Sequence, residues 1–239
     1  MILALIGLIV ILGILKYWLC MSPYAQTLGR FPYRVTTTKK QIALTFDDGP
    51  NEPYSSQIID YLDQVGAKAT FFTVGANAQR HPEVIKKAAA SGHEIGNHSY
   101  SHQFRKYLTQ PTYQKELDQT QTILTNILGF APSLFRPPWL YRTPLILKSA
   151  SDRKLQPISG EFCDVLEVFQ RSSATIARHA IKKLKPGAII IFHDGYNAKG
   201  SDRSQTVAAI KLFAEAAHSQ GYELVTVSKL LAEANPATL

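Results

Sequence analysis

The chain opens on a run without a polar side chain, from Met1 to Leu15. Lys16 breaks it; Tyr17, Trp18, Leu19, Cys20 and Met21 carry it on, and Pro23 stops any helix soon after. Counted to Met21, a helix of this length reaches roughly 31 Å, enough to cross a hydrocarbon core of about 30 Å. Lys16 can extend its ammonium to the headgroups, and Tyr17 and Trp18 suit the interface. A secretory signal would need a basic start and a small-x-small cleavage site. The start carries no basic side chain, and Pro23 spoils a cut after Ala25. The pattern predicts a membrane anchor over 1–21, with a cleaved signal segment as the alternative, and a linker over 22–37.

Beyond the linker, apolar positions follow strand and helix periods in turn. Gln41 to Phe46 is a short apolar run ended by Asp-Asp-Gly-Pro, the mark of a buried strand stopped by a turn. Pro53 opens a helical repeat of Ile58, Ile59, Leu62 and Val65 that Gly66 closes. Further strands are predicted at 69–74, 93–96, 133–136, 155–162, 188–192 and 222–227. Helices are predicted at 82–90, 112–128, after Pro144, at 172–184 and at 204–219. About seven strands interleaved with helices, without an internal repeat, predict a single α/β domain over 38–239 with a parallel sheet. An open doubly wound sheet and a barrel both satisfy that alternation. Asp47, Asp48, His98, Arg136 and His193 each follow a predicted strand's C-terminal end, where barrel active sites collect. The expected fold is therefore a distorted or incomplete (β/α) barrel of about seven strands, preceded by a hydrophobic helix.

Composition narrows the function classes. Hydrophobic residues at 45% and charged residues at 18% exclude a disordered chain. Two cysteines, Cys20 and Cys163, exclude a disulfide scaffold and a four-cysteine metal site. The net charge of +8 invites a nucleic-acid reading, but Lys and Arg are scattered, with no basic run and no aromatic-interleaved motif. Envelope polyanions, acidic glycans or a lipid surface are better partners for such a surface. No nucleic acid and no obligate protein partner are inferred.

Four short clusters carry candidate chemistry. In Thr45-Phe46-Asp47-Asp48-Gly49-Pro50, adjacent carboxylates point in different directions, so one can bind a metal while the other handles protons. Asp-Gly-Pro is equally ordinary turn chemistry. In His98-Ser99-Tyr100-Ser101-His102, two imidazoles at i and i+4 can meet one cation, and Asp48 would complete a two-His, one-carboxylate set. In Phe135-Arg136-Pro137-Pro138-Trp139, an arginine held beyond a strand can pair with a carboxylate, or simply be solvated. In Ile191-Phe192-His193-Asp194-Gly195, a histidine follows an apolar strand; beside a metal it becomes a candidate general acid.

In this order, TFDDGP, HSYSH, RPPW and FHDG resemble the polysaccharide deacetylases of carbohydrate esterase family four, the NodB-like domain, over roughly residues 38–232. The resemblance implies a metal-dependent hydrolase removing N-acetyl groups from a GlcNAc- or MurNAc-containing polymer, such as peptidoglycan or a chitin-like chain. It implies Asp48, His98 and His102 as ligands of one divalent ion, most often zinc, and Asp47 as catalytic base. Arg136 would orient Asp47, the backbone N–H of Trp139 would hold the oxyanion, and His193 would be the general acid. Such substrates lie outside the cytoplasm. This outweighs Lys16, Arg30 and Arg34, whose position after the span favours a cytoplasmic body by the charge rule. The expected location is membrane-anchored with an extracytoplasmic domain, or secreted if the segment is cleaved.

Two departures from the family pattern matter. Its third motif commonly ends in Tyr-Gly, here Trp139-Leu140. Its fourth usually reads Asp-x-x-Asp-Trp, here Asp164-Val165-Leu166-Glu167-Val168, which loses a sugar-stacking Trp. Asp164 is expected to tune His193, with Glu167 as substitute. Tyr100, Trp139 and Glu167 are expected to border the substrate groove. Alternatives are a catalytically weak glycan-binding relative, an O-acetyl esterase on an envelope polysaccharide, and an iron oxygenase. Strand-helix alternation argues against the last, since those sites normally sit on all-β jelly rolls.

Overall fold

The structure is a computed structural model that describes residues 2–196 and 200–233. In chain order its elements begin α1 (Ile2–Met21), β1 (Gln41–Asp47), α2 (Tyr54–Gln64), β2 (Thr70–Thr73), α3 (Gly75–Arg80), α4 (Pro82–Ala90) and β3 (Glu94–Asn97). They continue with α5 (Gln110–Leu128), β4 (Leu134–Phe135), α6 (Pro144–Asp152), β5 (Gln156–Pro157), β6 (Glu161–Phe162), α7 (Ser173–Ile181), β7 (Ile189–His193), α8 (Ser204–Ser219), β8 (Glu223–Val225) and α9 (Val227–Ala232).

The strands form one sheet in the order β5-β4-β3-β2-β1-β7-β6, with β8 paired to the start of β1. Every ladder is parallel. β1 lies at the centre with all seven residues buried, which is why it reads as an unbroken apolar run. The sheet curls into an incomplete barrel, as expected. Alternation along the strands separates two cores. Ile42, Leu44, Phe71 and Ile190 face outward onto Ile58, Val84, Ile176 and Phe213 of the helices. Ala43, Phe72, Leu134 and Ile189 face inward, and Val35, Val227 and Leu230 join them.

The single strand expected over 155–162 is broken into β5 and β6, which pair with β4 and β7 respectively and so join the two ends of the curl. Two observations explain the break. Arg136 draws the carbonyls of Ile158 and Ser159 out of any ladder, donating from Nε at 3.3 Å and from Nη2 at 2.8 Å. A Cβ at Gly160 would lie 2.7 Å from the Ile191 side chain and 3.0 Å from the Ile189 carbonyl, so only glycine permits this approach. Among the described residues two short α-helices, α3 and α9, have no counterpart in the expected elements. The six residues of α3 are too few to show a period, and α9 replaces the end of the last expected strand because Thr226 caps it, accepting from the Lys229 amide.

Residues 22–37, expected as a linker, lie against the domain. Ser159 donates from its amide to the Pro32 carbonyl and from its hydroxyl to the Pro23 carbonyl, both at 2.9 Å. The Val35 amide donates to the Gly187 carbonyl. Phe31 is fully buried with Leu140 and Ile191, sealing the barrel beside β6. The segment lacks a helix or strand period because it serves as packing over the seam.

Candidate active site

β1 ends at Asp47, and the chain then turns through Asp48 with a φ of 76°. The turn separates the two carboxylates. Asp47 points to Arg136, whose Nη1 donates to Asp47 Oδ1 at 2.7 Å and to the Thr45 hydroxyl at 2.8 Å. The guanidinium is fully buried over the Phe72 ring, 4.1 Å from its centroid. With the carbonyls of Ile158 and Ser159 it has acceptors on every side. Burial draws the Arg136 pKa down, while the charge of Asp47 and its hydrogen bond oppose the shift.

Asp48 faces the two histidines. Its Oδ1 is 3.3 Å from His98 Nε2 and 3.2 Å from His102 Nε2. Burial would raise the Asp48 pKa, but His102, His98 and His193 hold it well below the usual carboxylate range. His98 follows β3, and its Nδ1 meets the Arg136 carbonyl at 2.6 Å. A carbonyl only accepts, so Nδ1 carries a proton, and Nε2 is the ring atom turned toward Asp48. The His102 loop is fastened by Glu116, which accepts from both the amide and the hydroxyl of Ser101. Seven non-glycine residues have positive φ among those described, and five of them, Asp48, Ser99, His102, Trp139 and Leu140, fall in these segments. Backbone strain is thus concentrated where side chains must be aimed.

These donors fit a divalent cation. Ligand atoms of Asp48, His98 and His102 all lie within 4.8 Å of one another, and the set of two imidazoles and one carboxylate suits zinc or a similar ion while leaving coordination positions open. The Nδ1 bond of His98 is the outer-shell fixation that metal-binding imidazoles need.

His193 ends β7 beside β1 and lies opposite Asp47 in the ladder. Its Nδ1 meets Glu167 Oε2 at 2.7 Å, and the other Glu167 oxygen accepts from the Thr206 hydroxyl. Burial alone would lower the imidazole; Glu167, through charge and hydrogen bond, with Asp48 and Asp47 behind it, pushes it up to about 9. The expected partner, Asp164, does not reach His193. Its Oδ2 is 3.1 Å from His179 Nδ1 and 3.5 Å from Arg171, and its Oδ1 accepts from the Leu166 amide. Asp164 caps the turn that presents Glu167, and the longer Glu side chain bridges the gap to His193. Glu167 is fully buried, so it is no groove wall. Tyr100 also leaves the groove: its ring packs near Gly75 and its hydroxyl donates to Gln79. Trp139 stays, with its ring centroid 4.2 Å from that of His102.

Glu167→Gln removes the charge that holds the His193 proton. We expect the His193 pKa to fall by roughly a unit or more, read by NMR titration of the imidazole. The wild-type protonated form contributes stability fully below its ordinary value of 6.5, fading as pH climbs through about 9. The variant should lose that contribution, and an unchanged titration would contradict the assignment.

The supporting roles carried no sequence signal, although Asp194 stands in the FHDG motif. Asp194 is buried, accepts from Ser55, and lies where a Cβ on Gly49 would collide with it. Burial, opposed by the Ser55 bond and aided by Asp48 and Asp47, raises its carboxyl to about 7. The Asn51 side chain donates to the Asp194 carbonyl and the Asn77 side chain to the Asp48 carbonyl, fixing the ligand turn from two sides. A cleft of about 620 Å³ opens above the site, with Asp47, Asp48, His98, His102 and His193 in its lining and Trp139, Leu140 and Phe162 among its apolar walls.

Residues 34–158 match the profile described as Polysaccharide deacetylase. A peptidoglycan-N-acetylglucosamine deacetylase of Bacillus cereus is 35% identical over 207 residues, 86% of this chain and 95% of that one. The crystal structure of the Bc1960 peptidoglycan N-acetylglucosamine deacetylase superposes with a TM-score of 0.77 at 30% identity, covering 83% of this chain and 91% of its own. A family 4 acetyl xylan esterase from Clostridium thermocellum, solved with a cobalt ion, gives 0.72 at 29% identity, covering 81% and 91%.

Proposed function

Because the chain belongs to the polysaccharide deacetylase family, we propose that it hydrolyses the acetamide of N-acetylglucosamine or N-acetylmuramic acid units in peptidoglycan. The observation that carries this reading is the convergence, in one cleft, of the Asp48–His98–His102 set, an arginine-held Asp47 and a carboxylate-held His193. Asp48, His98 and His102 would hold the cation, zinc in this proposal. When bound, it supplies Lewis-acid polarisation of the acetyl carbonyl and favours ionisation of water.

The protein's own groups supply the rest. Asp47, kept in place by Arg136, accepts a proton from the attacking water. The backbone N–H of Trp139 donates to the oxyanion as the carbonyl carbon becomes tetrahedral. His193, protonated beside Glu167, gives its proton to the amine nitrogen as the C–N bond breaks. Water is divided between acetate and the free amine. An amine leaves poorly without that proton, whereas an ester alkoxide needs it less. The Glu167–His193 pair therefore favours the amide over the O-acetyl alternative that similarity to an acetyl xylan esterase raises. In this proposal α1 crosses the membrane once and residues 38–239 form the catalytic domain outside the cytoplasm.

The test is acetate release by the metal-stripped and zinc-reloaded protein, from N-acetylated muropeptides and chitooligosaccharides against O-acetylated xylan. Zinc-dependent release from the N-acetylated sugars is expected. Release from xylan alone would move the assignment to an esterase, and release from none would overturn it.

A further inference from the structure

α1 is docked on the catalytic face. The Cys20 carbonyl accepts the Arg142 amide at 2.9 Å. The buried Arg142 guanidinium donates to the carbonyls of Ser22 at 2.8 Å and Ala25 at 2.6 Å, and lies 4.4 Å from the Phe31 ring centroid. These bonds leave no free tether between helix and domain. They bring Tyr17 and Trp18, together with Pro23 and Tyr24, into the wall of the cleft that holds Asp48, His98 and His102.

α1 is twenty residues long and strongly apolar, and none of its residues is buried among the described residues. A bilayer is the solvent that suits such a helix. At 1.5 Å per residue its length, about 30 Å, matches the hydrocarbon core. The far membrane surface then falls at its last turn, where Tyr17 and Trp18 take interfacial positions. Those two residues also line the cleft, so its mouth sits at headgroup level. A second feature agrees. Val165 and Val168 line the same cleft, and the turn that carries them shows Val165, Leu166 and Phe169 to solvent at 75%, 44% and 70% exposure. Three large apolar side chains exposed within five residues at the mouth beside an apolar helix form a patch suited to a lipid interface.

Resting on the deacetylase reading and on α1 as an anchor, we propose that the cleft opens onto the bilayer surface and takes an N-acetylated amino sugar carried on a lipid. Tyr17 and Trp18 of the anchor line one wall of the cleft, so in a membrane-held chain that wall faces the headgroups, and a sugar tethered to the bilayer reaches the site more readily than a free strand of wall polymer. A sugar joined to a lipid enters from that side, with its chain in the bilayer and its acetamide projecting to the metal ligands. The Val165–Phe169 turn rests among the headgroups.

The full chain, zinc-loaded, is reconstituted in phosphatidylcholine–phosphatidylglycerol vesicles. Its substrates are N-acetylglucosamine linked through pyrophosphate to a prenol in those vesicles, or chitopentaose in the surrounding buffer. We expect kcat/KM at least tenfold higher for the lipid-borne sugar. L166S/F169S should lower that value fivefold or more and leave chitopentaose turnover within twofold. Equal or faster turnover of chitopentaose overturns the proposal and leaves the deacetylase reading standing; acetate from neither substrate overturns both. A readout independent of activity comes from W18F, in which Trp139 is the remaining tryptophan. Lipids brominated near the headgroup should quench its fluorescence, and absence of quenching overturns the proposal.

Discussion

Asp47→Asn is expected to lower kcat by roughly a thousandfold, within the range of about 10²–10⁴ that a positioned general base contributes. Asn keeps the shape and can still accept from Arg136, but it cannot take a proton from water. The substitution also leaves Arg136 as a buried cation without its counter-ion, 0% exposed and hydrogen-bonded only to neutral oxygens. Removing one partner of a buried pair typically destabilises a fold by about 3–5 kcal/mol. Two measurements separate the effects. Thermal unfolding should show a lowered Tm, and single-turnover acetate release well below that Tm should still show the loss in kcat. Zinc content should stay at one ion per chain, since Asp48, His98 and His102 are intact. Retained turnover would remove Asp47 from the role of base.

His98→Ala is the second large effect. It removes one of three donors and the imidazole whose tautomer the Arg136 carbonyl fixes. Loss of an outer-shell partner costs about 10–100-fold in metal affinity, so removal of the ligand should exceed that. We expect isothermal titration with zinc to show affinity lowered more than a hundredfold and acetate release to fall with it. The fold should persist, because Asp48 and His102 sit on a turn and a loop outside the sheet core. If His98→Ala binds zinc as wild type does, the metal set is elsewhere.

Much of this candidate site is legible in the sequence. Asp47, Asp48, His98, His102, Arg136 and His193 each sit in a short motif at or just past the end of a predicted strand, and a parallel barrel delivers such ends to one face. Local spacing could not choose between Asp164 and Glu167. The two are three residues apart around a 3-10 turn, and only the path of that turn sends Glu167 inward and Asp164 toward His179. The supporting roles of Glu116, Ser55 and Asp194 were silent for a similar reason: each meets its partner through a contact that spans at least fifteen positions.

The sequence by itself determined the strand–helix alternation, the apolar N-terminal helix and the motifs, because each depends on periodicity or turn chemistry within a few residues. The tertiary structure decided which carboxylate serves His193, how residues 22–37 close the barrel, and that the helix end forms part of the cleft. Those follow from where chain segments meet after folding. A buried Arg142 bonded to the carbonyls of Cys20, Ser22 and Ala25, each more than a hundred positions away, leaves no periodic trace in the chain that makes it.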